Sequence, residues 1–313
     1  MTQPDIPVLD ATGLGPGLPA QLIRDFRTAY SETGFAYLVN HGIDPGLSAA
    51  LFTASSQFHA LPQAAKTAIS LNENHRGYIA IDTSTDVNST LATVTKPNQS
   101  ASFMMMADEP RDPARFLSGP NQWPDLPGFR DTLERYHTAL GQFAHNLMRV
   151  ALAAVGAPPG AIGAFARPTT WLRLLHYPAQ PADSPDDLYG SAPHCDFGAL
   201  TILAQDTIGG LQVQTQHGDW VDVPPRDGAF IVNVGDMLHR MSNGILRSTP
   251  HRVINRSGRE RYSCPFFYDP DVATTVAPLP GTGTPRYDPV LFGDFLRAEL
   301  STGYDAHKPE ESP

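Results

Sequence analysis

Short strand-like segments follow one another through the second half of the chain, and this pattern constrains the fold more than any other feature. The segments are rich in aliphatic, β-branched and aromatic residues, and turns containing Gly, Pro, Asn or Asp separate them. They are Trp171–Leu175, Ala199–Leu203, Leu211–Thr215, Trp220–Val223, Ala229–Val234, His251–Ile254 and Tyr262–Phe267. Such spacing is typical of an antiparallel sandwich or jelly roll, the group that includes the cupin-like barrels that host metals.

Helical patterns flank these segments. Apolar residues that recur at alternating spacings of three and four predict a long helix from Phe129 to near Gly156. Shorter amphipathic helices are predicted over residues 22–30, after Asp44-Pro45, and between residues 287 and 304. We therefore expect a mostly β fold with flanking helices.

Composition and charge exclude several classes of protein. The net charge is −10 with Lys and Arg scattered along the chain, which argues against nucleic acid or an anionic membrane as the main partner. No apolar run approaches the roughly 20 residues that a membrane span needs, and the N-terminus lacks the features of a signal peptide. Two cysteines do not make a disulfide framework, so we expect buried thiols in a reducing cytoplasm.

Three residues form a candidate metal site. His194 and Asp196 lie two positions apart on an apparent strand, where both side chains would face the same side, and His251 follows far downstream. Two imidazoles and one carboxylate leave three coordination positions open, which suits a non-haem Fe(II) that binds a co-substrate and O2. The competing interpretation is a structural zinc site, although such sites favour four closed ligands and usually cysteine. Strand alternation points Cys195 away from the site, so we expect no ligand role for it.

A candidate carboxylate site lies just beyond the second histidine. Arg261 and Ser263 are again two positions apart on an apparent strand and can face one pocket. A guanidinium fork binds a carboxylate through two hydrogen bonds, and a hydroxyl can donate beside it.

These features occur together with others in an order that resembles a known family. The sequence is similar to the Fe(II)/2-oxoglutarate-dependent oxygenases, in the branch typified by isopenicillin N synthase and the plant flavonoid and hormone dioxygenases. The resemblance covers nearly the whole chain and is carried by Ile6–Asp10, Gly34–Gly42, Leu172–Leu174, Tyr177-Pro178, His194–Asp206, Gly209–Val213, Val232–Asp236, Ser242–Gly244 and His251–Val253. It implies a double-stranded β-helix core, which is a distorted, cupin-like jelly roll. It also implies a single catalytic domain over residues 1–313, with an N-terminal α/β portion at 1–125 and the dioxygenase core at 165–275.

The resemblance further implies the ligands of the site. Fe(II) would be held by His194, Asp196 and His251, and the co-substrate 2-oxoglutarate by Arg261, Ser263 and Tyr177. With O2, such an enzyme couples decarboxylation of 2-oxoglutarate to succinate with hydroxylation, desaturation or ring closure of a small-molecule substrate. Many members carry Asn where this chain has Leu175, so one polar contact to the co-substrate is absent here; Arg173 could take its place or be a solvated side chain.

The segment before the long helix supplies the candidate substrate pocket. In the resembling family this region borders the substrate pocket. We therefore expect five of its residues to border the substrate here: Arg76, Tyr78, Asn98, Phe103 and Met105. A core strand with gap-filling methionines explains residues 103–106 equally well.

Two other functions remain open on the sequence alone. An oxidase in the manner of isopenicillin N synthase would consume O2 without 2-oxoglutarate, with Arg261 and Ser263 holding a substrate carboxylate. A non-enzymatic ligand-binding relative would be favoured if a position of the triad were lost, and all three are present.

Overall fold

Two β-sheets and a set of outer helices build the protein in a computed structural model, which describes residues 6–84, 91, 94, 96–304 and 307. The strands are β1 (Val8–Asp10), β2 (Phe35–Val39), β3 (Gly77–Ile79), β4 (Ala101–Met106), β5 (Thr169–Tyr177), β6 (Ser191–His194), β7 (Leu200–Gln205), β8 (Leu211–Gln214), β9 (Trp220–Asp222), β10 (Phe230–Val234), β11 (His251–Val253), β12 (Arg261–Asp269), β13 (Thr275–Val276) and β14 (Val290–Leu291). The helices are α1 (Ala20–Glu32), α2 (Pro45–His59), α3 (Gln63–Thr67), α4 (Phe129–Ala154), α5 (Asp236–Met241) and α6 (Phe292–Gly303), with a 3₁₀ helix at Pro159–Phe165.

The larger sheet has eight strands in the order β1-β2-β10-β7-β12-β5-β4-β3, and the smaller one has four in the order β6-β11-β8-β9. Pairing in both is antiparallel apart from the β1–β2 pair. Apolar side chains of the two sheets pack together, among them Tyr177, Ile231, Val213 and Val253. This places one layer of the core between the sheets, and the predicted sheet-centred fold with flanking helices is confirmed.

Helices α1 and α2 pack on α4, and the three helices cover one face of the larger sheet. The predicted long helix is α4, whose buried face includes Leu133, Leu140 and Leu147 and packs with α1 and α2. Helix α2 begins where its sequence predicts, because the Asp44 carboxylate accepts the Gly46 N–H at 2.9 Å and Pro45 occupies the first turn. None of the helices in the described ranges is long and apolar enough to cross a membrane.

Candidate active site

The pairing of β6 with β11 brings the two histidines of the motif together. His194 and His251 are directly opposed in the register, and their ring centroids lie 4.3 Å apart. Each Nδ1 lies within hydrogen-bond distance of the carbonyl two residues earlier, at 2.7 Å for Ala192 and 3.2 Å for Thr249. Because a carbonyl oxygen only accepts, Nδ1 carries the proton in each neutral ring and Nε2 presents its lone pair. The two Nε2 atoms face the carboxylate of Asp196.

Asp196 completes the cluster from a turn rather than from a strand. Strand β6 ends at His194, so the strand alternation assumed from the sequence does not position Asp196, and that part of the prediction is corrected. The turn nevertheless brings Asp196 Oδ1 to 3.7 Å from Nε2 of both His194 and His251. Asp196 Oδ2 accepts hydrogen bonds from Thr201 Oγ1 and from Asn233 Nδ2, the latter at 2.6 Å. One oxygen is thereby fixed by the protein and the other is aimed at the imidazoles.

The electrostatics of the cluster keep Asp196 ionised. Burial alone would raise the pKa of this carboxyl, but the nearby imidazoles of His251 and His194 and the two hydrogen bonds to Oδ2 outweigh burial and lower its pKa. The site therefore presents an ionised carboxylate and, whenever both imidazoles are neutral, two nitrogen lone pairs.

This donor set fits a divalent metal ion. The three ligand atoms lie within 4.8 Å of one another. The 3.7 Å separations are shorter than twice the roughly 2.0–2.2 Å typical of metal–nitrogen and metal–oxygen bonds, so one ion can contact all three atoms. Two imidazoles and one carboxylate are the facial ligand set of non-haem Fe(II), with open positions left for other ligands. Cys195 adjoins the cluster without joining it, and burial raises the pKa of its thiol to about 12, so the thiol stays protonated.

A buried guanidinium lies near the metal-ligand cluster, beside Tyr177 and Ser263, which line the cavity around the cluster. Arg261 is fully buried on β12, directly opposite Tyr177 on β5, and its guanidinium stacks over the Tyr177 ring at 4.6 Å. Its Nη1 donates to Ser263 Oγ at 3.2 Å and its Nη2 to Gln205 Oε1 at 3.2 Å, while Nε has no hydrogen-bond partner among the described residues. Within the same part of the chain no carboxylate pairs with Arg261. A buried cation that lacks a counterion is the arrangement expected of a receptor for a carboxylate ligand.

The neighbouring side of the cavity is apolar where the resembling family carries Asn. Leu175 lines the cavity between Arg173 and Tyr177. The Arg173 guanidinium instead donates to Ser102 Oγ at 2.9 Å and to Tyr304 Oη at 3.4 Å, so it does not supply the missing contact from beside Arg261.

The cavity around the triad has a volume of about 390 Å³. Asn98 lines it, and its Oδ1 accepts the Ala192 N–H at 2.9 Å; its role toward a substrate stays a prediction. Its walls also include His75, Met104, Trp171, Arg173, Phe295, Glu299, Leu300 and Tyr304.

Four other residues predicted for the substrate pocket, Arg76, Tyr78, Phe103 and Met105, do not line this cavity. Phe103 and Met105 project from β4 toward the helices, where Phe103 packs on Phe58 at 5.1 Å between ring centroids. Side chains alternate along a strand, so the face that lines the cavity carries residues 102 and 104 instead. Tyr78 packs opposite Phe103 on β3, and Arg76 is buried with its guanidinium donating to three backbone carbonyls.

Several cavity residues were missed by the sequence prediction. Helix α6 contributes Phe295, Glu299 and Leu300; the apolar spacing in this segment predicted a helix without indicating what its face covers. Trp171 lies at the same face of β5 as Tyr177, so strand alternation from Tyr177 would have found it.

Comparison with known proteins gives the same class throughout. The family model of the 2OG-Fe(II) oxygenase superfamily matches residues 168–270, and a model described as the N-terminal region of non-haem dioxygenase in morphine synthesis matches residues 6–126. The chain is 35% identical to a 2-oxoglutarate-Fe(II) type oxidoreductase of Emericella nidulans, over 97% of this chain and 93% of that protein.

Solved structures agree with the sequence matches. A full-length Neurospora crassa protein in complex with alpha-KG superposes with a TM-score of 0.83 at 28% identity, covering 95% of this chain and 96% of that one. JOX2 in complex with 2OG, Fe and JA superposes with a TM-score of 0.79 at 28% identity, covering 97% and 90% of the two chains. The jelly-roll core expected from the resemblance is thereby confirmed.

Proposed function

This chain belongs to the 2-oxoglutarate and Fe(II)-dependent oxygenase superfamily, and we propose that His194, Asp196 and His251 hold its iron while Arg261, Ser263 and Tyr177 hold 2-oxoglutarate. The enzyme is a dioxygenase with Fe(II) as its metal and with 2-oxoglutarate and O2 as co-substrates. When bound, these groups supply the oxidising chemistry, in which 2-oxoglutarate is decarboxylated to succinate as a small-molecule substrate is oxidised.

Each protein group has a separate task in this proposal. The carbonyls of Ala192 and Thr249 fix both imidazoles with Nε2 toward the metal position, and Thr201 and Asn233 fix the Asp196 carboxylate. Partners of this kind set ligand orientation and basicity, which raises metal affinity. The protein thus orients its ligands before the metal binds.

The observation that carries the co-substrate assignment is the buried Arg261, which pairs with no carboxylate in the part of the chain that the structure describes. Its guanidinium donates to the Ser263 hydroxyl and stacks on the Tyr177 ring, and both of these residues line the cavity around the triad. Two hydrogen bonds from the fork to a carboxylate would satisfy a charge that is otherwise buried among neutral groups. We assign this position to the carboxylate of 2-oxoglutarate that lies away from the keto group.

The remaining cavity receives the substrate. Neighbouring structures contain small molecules, thymine in the Neurospora crassa protein and JA in JOX2. A cavity of about 390 Å³ is near the lower end of the roughly 300–1,000 Å³ found for ligand sites and must accommodate the co-substrate as well. We therefore propose a small substrate, and we propose neither nucleic acid nor a membrane as partner for this acidic chain.

The chain is proposed to act as one catalytic domain over residues 1–313, with an N-terminal portion at 1–125 and the core at 165–275. Strands β1 to β4 of the N-terminal portion belong to the same eight-stranded sheet as the core strands, which supports a single unit. Both cysteines are free thiols, which suits the proposed reducing cytoplasm.

The test is an anaerobic titration of the metal-free protein with Fe(II) and then with 2-oxoglutarate, observed as a metal-to-ligand charge-transfer band in the visible spectrum. We expect the band in the wild type and no iron binding in Asp196→Ala. In Arg261→Ala, iron binding should remain while the 2-oxoglutarate concentration for half-saturation rises about tenfold to a hundredfold. Arg135→Ala, at an exposed position on α4, is the matched control.

Two outcomes would contradict the proposal. Iron binding without a band on addition of 2-oxoglutarate would favour an oxidase in which Arg261 holds a substrate carboxylate. Unchanged 2-oxoglutarate binding in Arg261→Ala would remove this residue from the co-substrate site.

A further inference from the structure

A second guanidinium lines the cavity far from the first. Arg173 projects from the inner face of β5, and it is held by two hydroxyls, Ser102 Oγ at 2.9 Å and Tyr304 Oη at 3.4 Å. Neither hydroxyl carries a charge. Among the residues that the structure describes, no carboxylate oxygen lies within 4.0 Å of Arg173.

Arg173 is separate from the co-substrate end of the cavity. It precedes Tyr177 by four residues on β5, which corresponds to about 13 Å along an extended strand. Arg261 is paired opposite Tyr177 and donates to Ser263, and both of these residues line the cavity, with Tyr177 four strand positions away from Arg173. One small dicarboxylate that is bound at Arg261 and chelated at the triad therefore does not reach Arg173.

The described neighbours of Arg173 do not neutralise it. Burial, followed by the nearby His307, Arg173 and Arg76, lowers the pKa of His75 well below its usual value, so this imidazole is neutral. Glu299 lines the same cavity, but its carboxylate is not within ion-pair distance of the guanidinium. A half-buried cation next to neutral groups gains the most from a carboxylate brought by a ligand.

We infer that the substrate of this enzyme is a small carboxylic acid whose carboxylate pairs with Arg173. Trp171, Met104 and Leu300 provide the apolar wall beside the guanidinium, so the rest of the substrate presents an apolar or aromatic surface. This inference rests on the proposed function, because it takes the other end of the cavity to be filled by 2-oxoglutarate.

The experiment uses the anaerobic complex of the full chain with Fe(II) and saturating 2-oxoglutarate. A panel of small aliphatic and aromatic carboxylic acids, each matched with its primary amide, is screened for a shift of the charge-transfer band without loss of its amplitude. Loss of amplitude would mark displacement of 2-oxoglutarate and is scored separately. We expect acids to bind about tenfold or more tightly than their amides, since a hydrogen bond to a charged group exceeds a neutral one by about that factor.

Three variants separate recognition from scaffolding. Arg173→Gln keeps a donor for Ser102 and Tyr304 but removes the charge, and we expect it to abolish the preference for acids. Tyr304→Phe removes a hydrogen bond to Arg173 and leaves the charge, so the preference should persist. Arg135→Gln on the exposed face of α4 controls for a general loss of positive charge.

Several results would overturn the inference. These are a panel in which no acid shifts the band, amides that bind as well as acids, an Arg173→Gln variant that keeps the preference, or a Tyr304→Phe variant that loses it to the same extent. Failure of the proposed function is distinguishable, because the wild type would then show no band before any member of the panel is added.

Discussion

At the scale of single residues, the carboxylate of Asp196 shows how the site is prepared. Its Oδ2 is occupied by Thr201 and Asn233, and only Oδ1 faces the two imidazoles. Hydrogen bonds of this kind restrict the carboxylate to one rotamer and favour its ionised form. The contribution of Thr201 from β7 depends on a loop whose shape was not predictable from local sequence patterns.

We therefore expect Asn233→Ala to weaken Fe(II) binding about tenfold to a hundredfold, the range seen when such supporting partners are removed. The physical reason is that Asp196 Oδ2 loses one of its two donors and the carboxylate can rotate away from the imidazoles. Anaerobic Fe(II) titration measures the affinity, with Asn146→Ala on α4 as the control. Wild-type affinity in Asn233→Ala would show that Thr201 alone orients the ligand.

At the scale of elements, the turn between β6 and β7 decides whether the ligands converge. Asp269 on β12 accepts the Ala199 N–H at 2.7 Å and the Trp171 Nε1–H at 2.8 Å, and so ties the turn to the larger sheet. Burial raises the pKa of Asp269 to about 7. A side chain at Gly198 would collide with the Asp269 carboxylate, so glycine is required at this point of the turn.

Gly198→Ala should accordingly destabilise the protein by about 1–3 kcal/mol, the usual cost of overpacking a tight site, and should weaken Fe(II) binding as the turn shifts. Urea unfolding and Fe(II) titration measure the two effects. Gly163→Ala in the 3₁₀ helix is the control, because no described atom lies within 4 Å of an added Cβ there. Equal stability of Gly198→Ala and the wild type would mean that Asp269 can move aside at no cost.

The individual helices and strands also show where prediction from the sequence succeeds and where it fails. Helix α4 followed from one repeating buried face, and the core strands followed from short apolar runs bounded by turn residues. Strand β4 is buried on both faces, so alternation could not tell which of its side chains face the cavity; Met104 does, whereas Phe103 packs toward the helices. Asp196 lies beyond the end of β6, where a local turn and not strand geometry directs the side chain.

At the scale of the whole molecule, distant segments are joined in ways that local patterns do not encode. Strands β1 and β2 extend one side of the larger sheet and β3 and β4 the other, around strands that lie more than 60 residues later in the chain. Helix α6, nearly at the other end of the sequence, lines the cavity with Glu299 and Leu300. Such long-range pairing arises from packing of the complete chain, and this is why the cavity wall was harder to predict than the triad.

Burial of histidines in this assembled core makes stability depend on pH. Burial lowers the pKa of His137 to about 4, whereas the unfolded value is 6.5, so the unfolded chain binds more protons between these limits. The contribution of His137 to the unfolding free energy is then constant above pH 6.5 and falls as the pH drops toward 4. His59 acts in the same direction, because burial and then the neighbouring His176 lower its pKa to about 3.

Replacing His137 by Leu removes that acid-sensitive contribution and also the hydrogen bond of Nε2 with Thr170 Oγ1, whose loss is independent of pH. The unfolding free energy of the variant, taken relative to that of the wild type, should therefore rise by about 2 kcal/mol when the pH is lowered from 7.5 to 5. This follows from about 1.36 kcal/mol for each pH unit below 6.5. Urea unfolding at the two pH values measures the difference, with the exposed His217→Leu as control. A constant difference between wild type and His137→Leu across this range would contradict the prediction. It would mean that His137 takes up its proton in the folded protein as readily as in the unfolded chain, because water reaches its side chain beside α4.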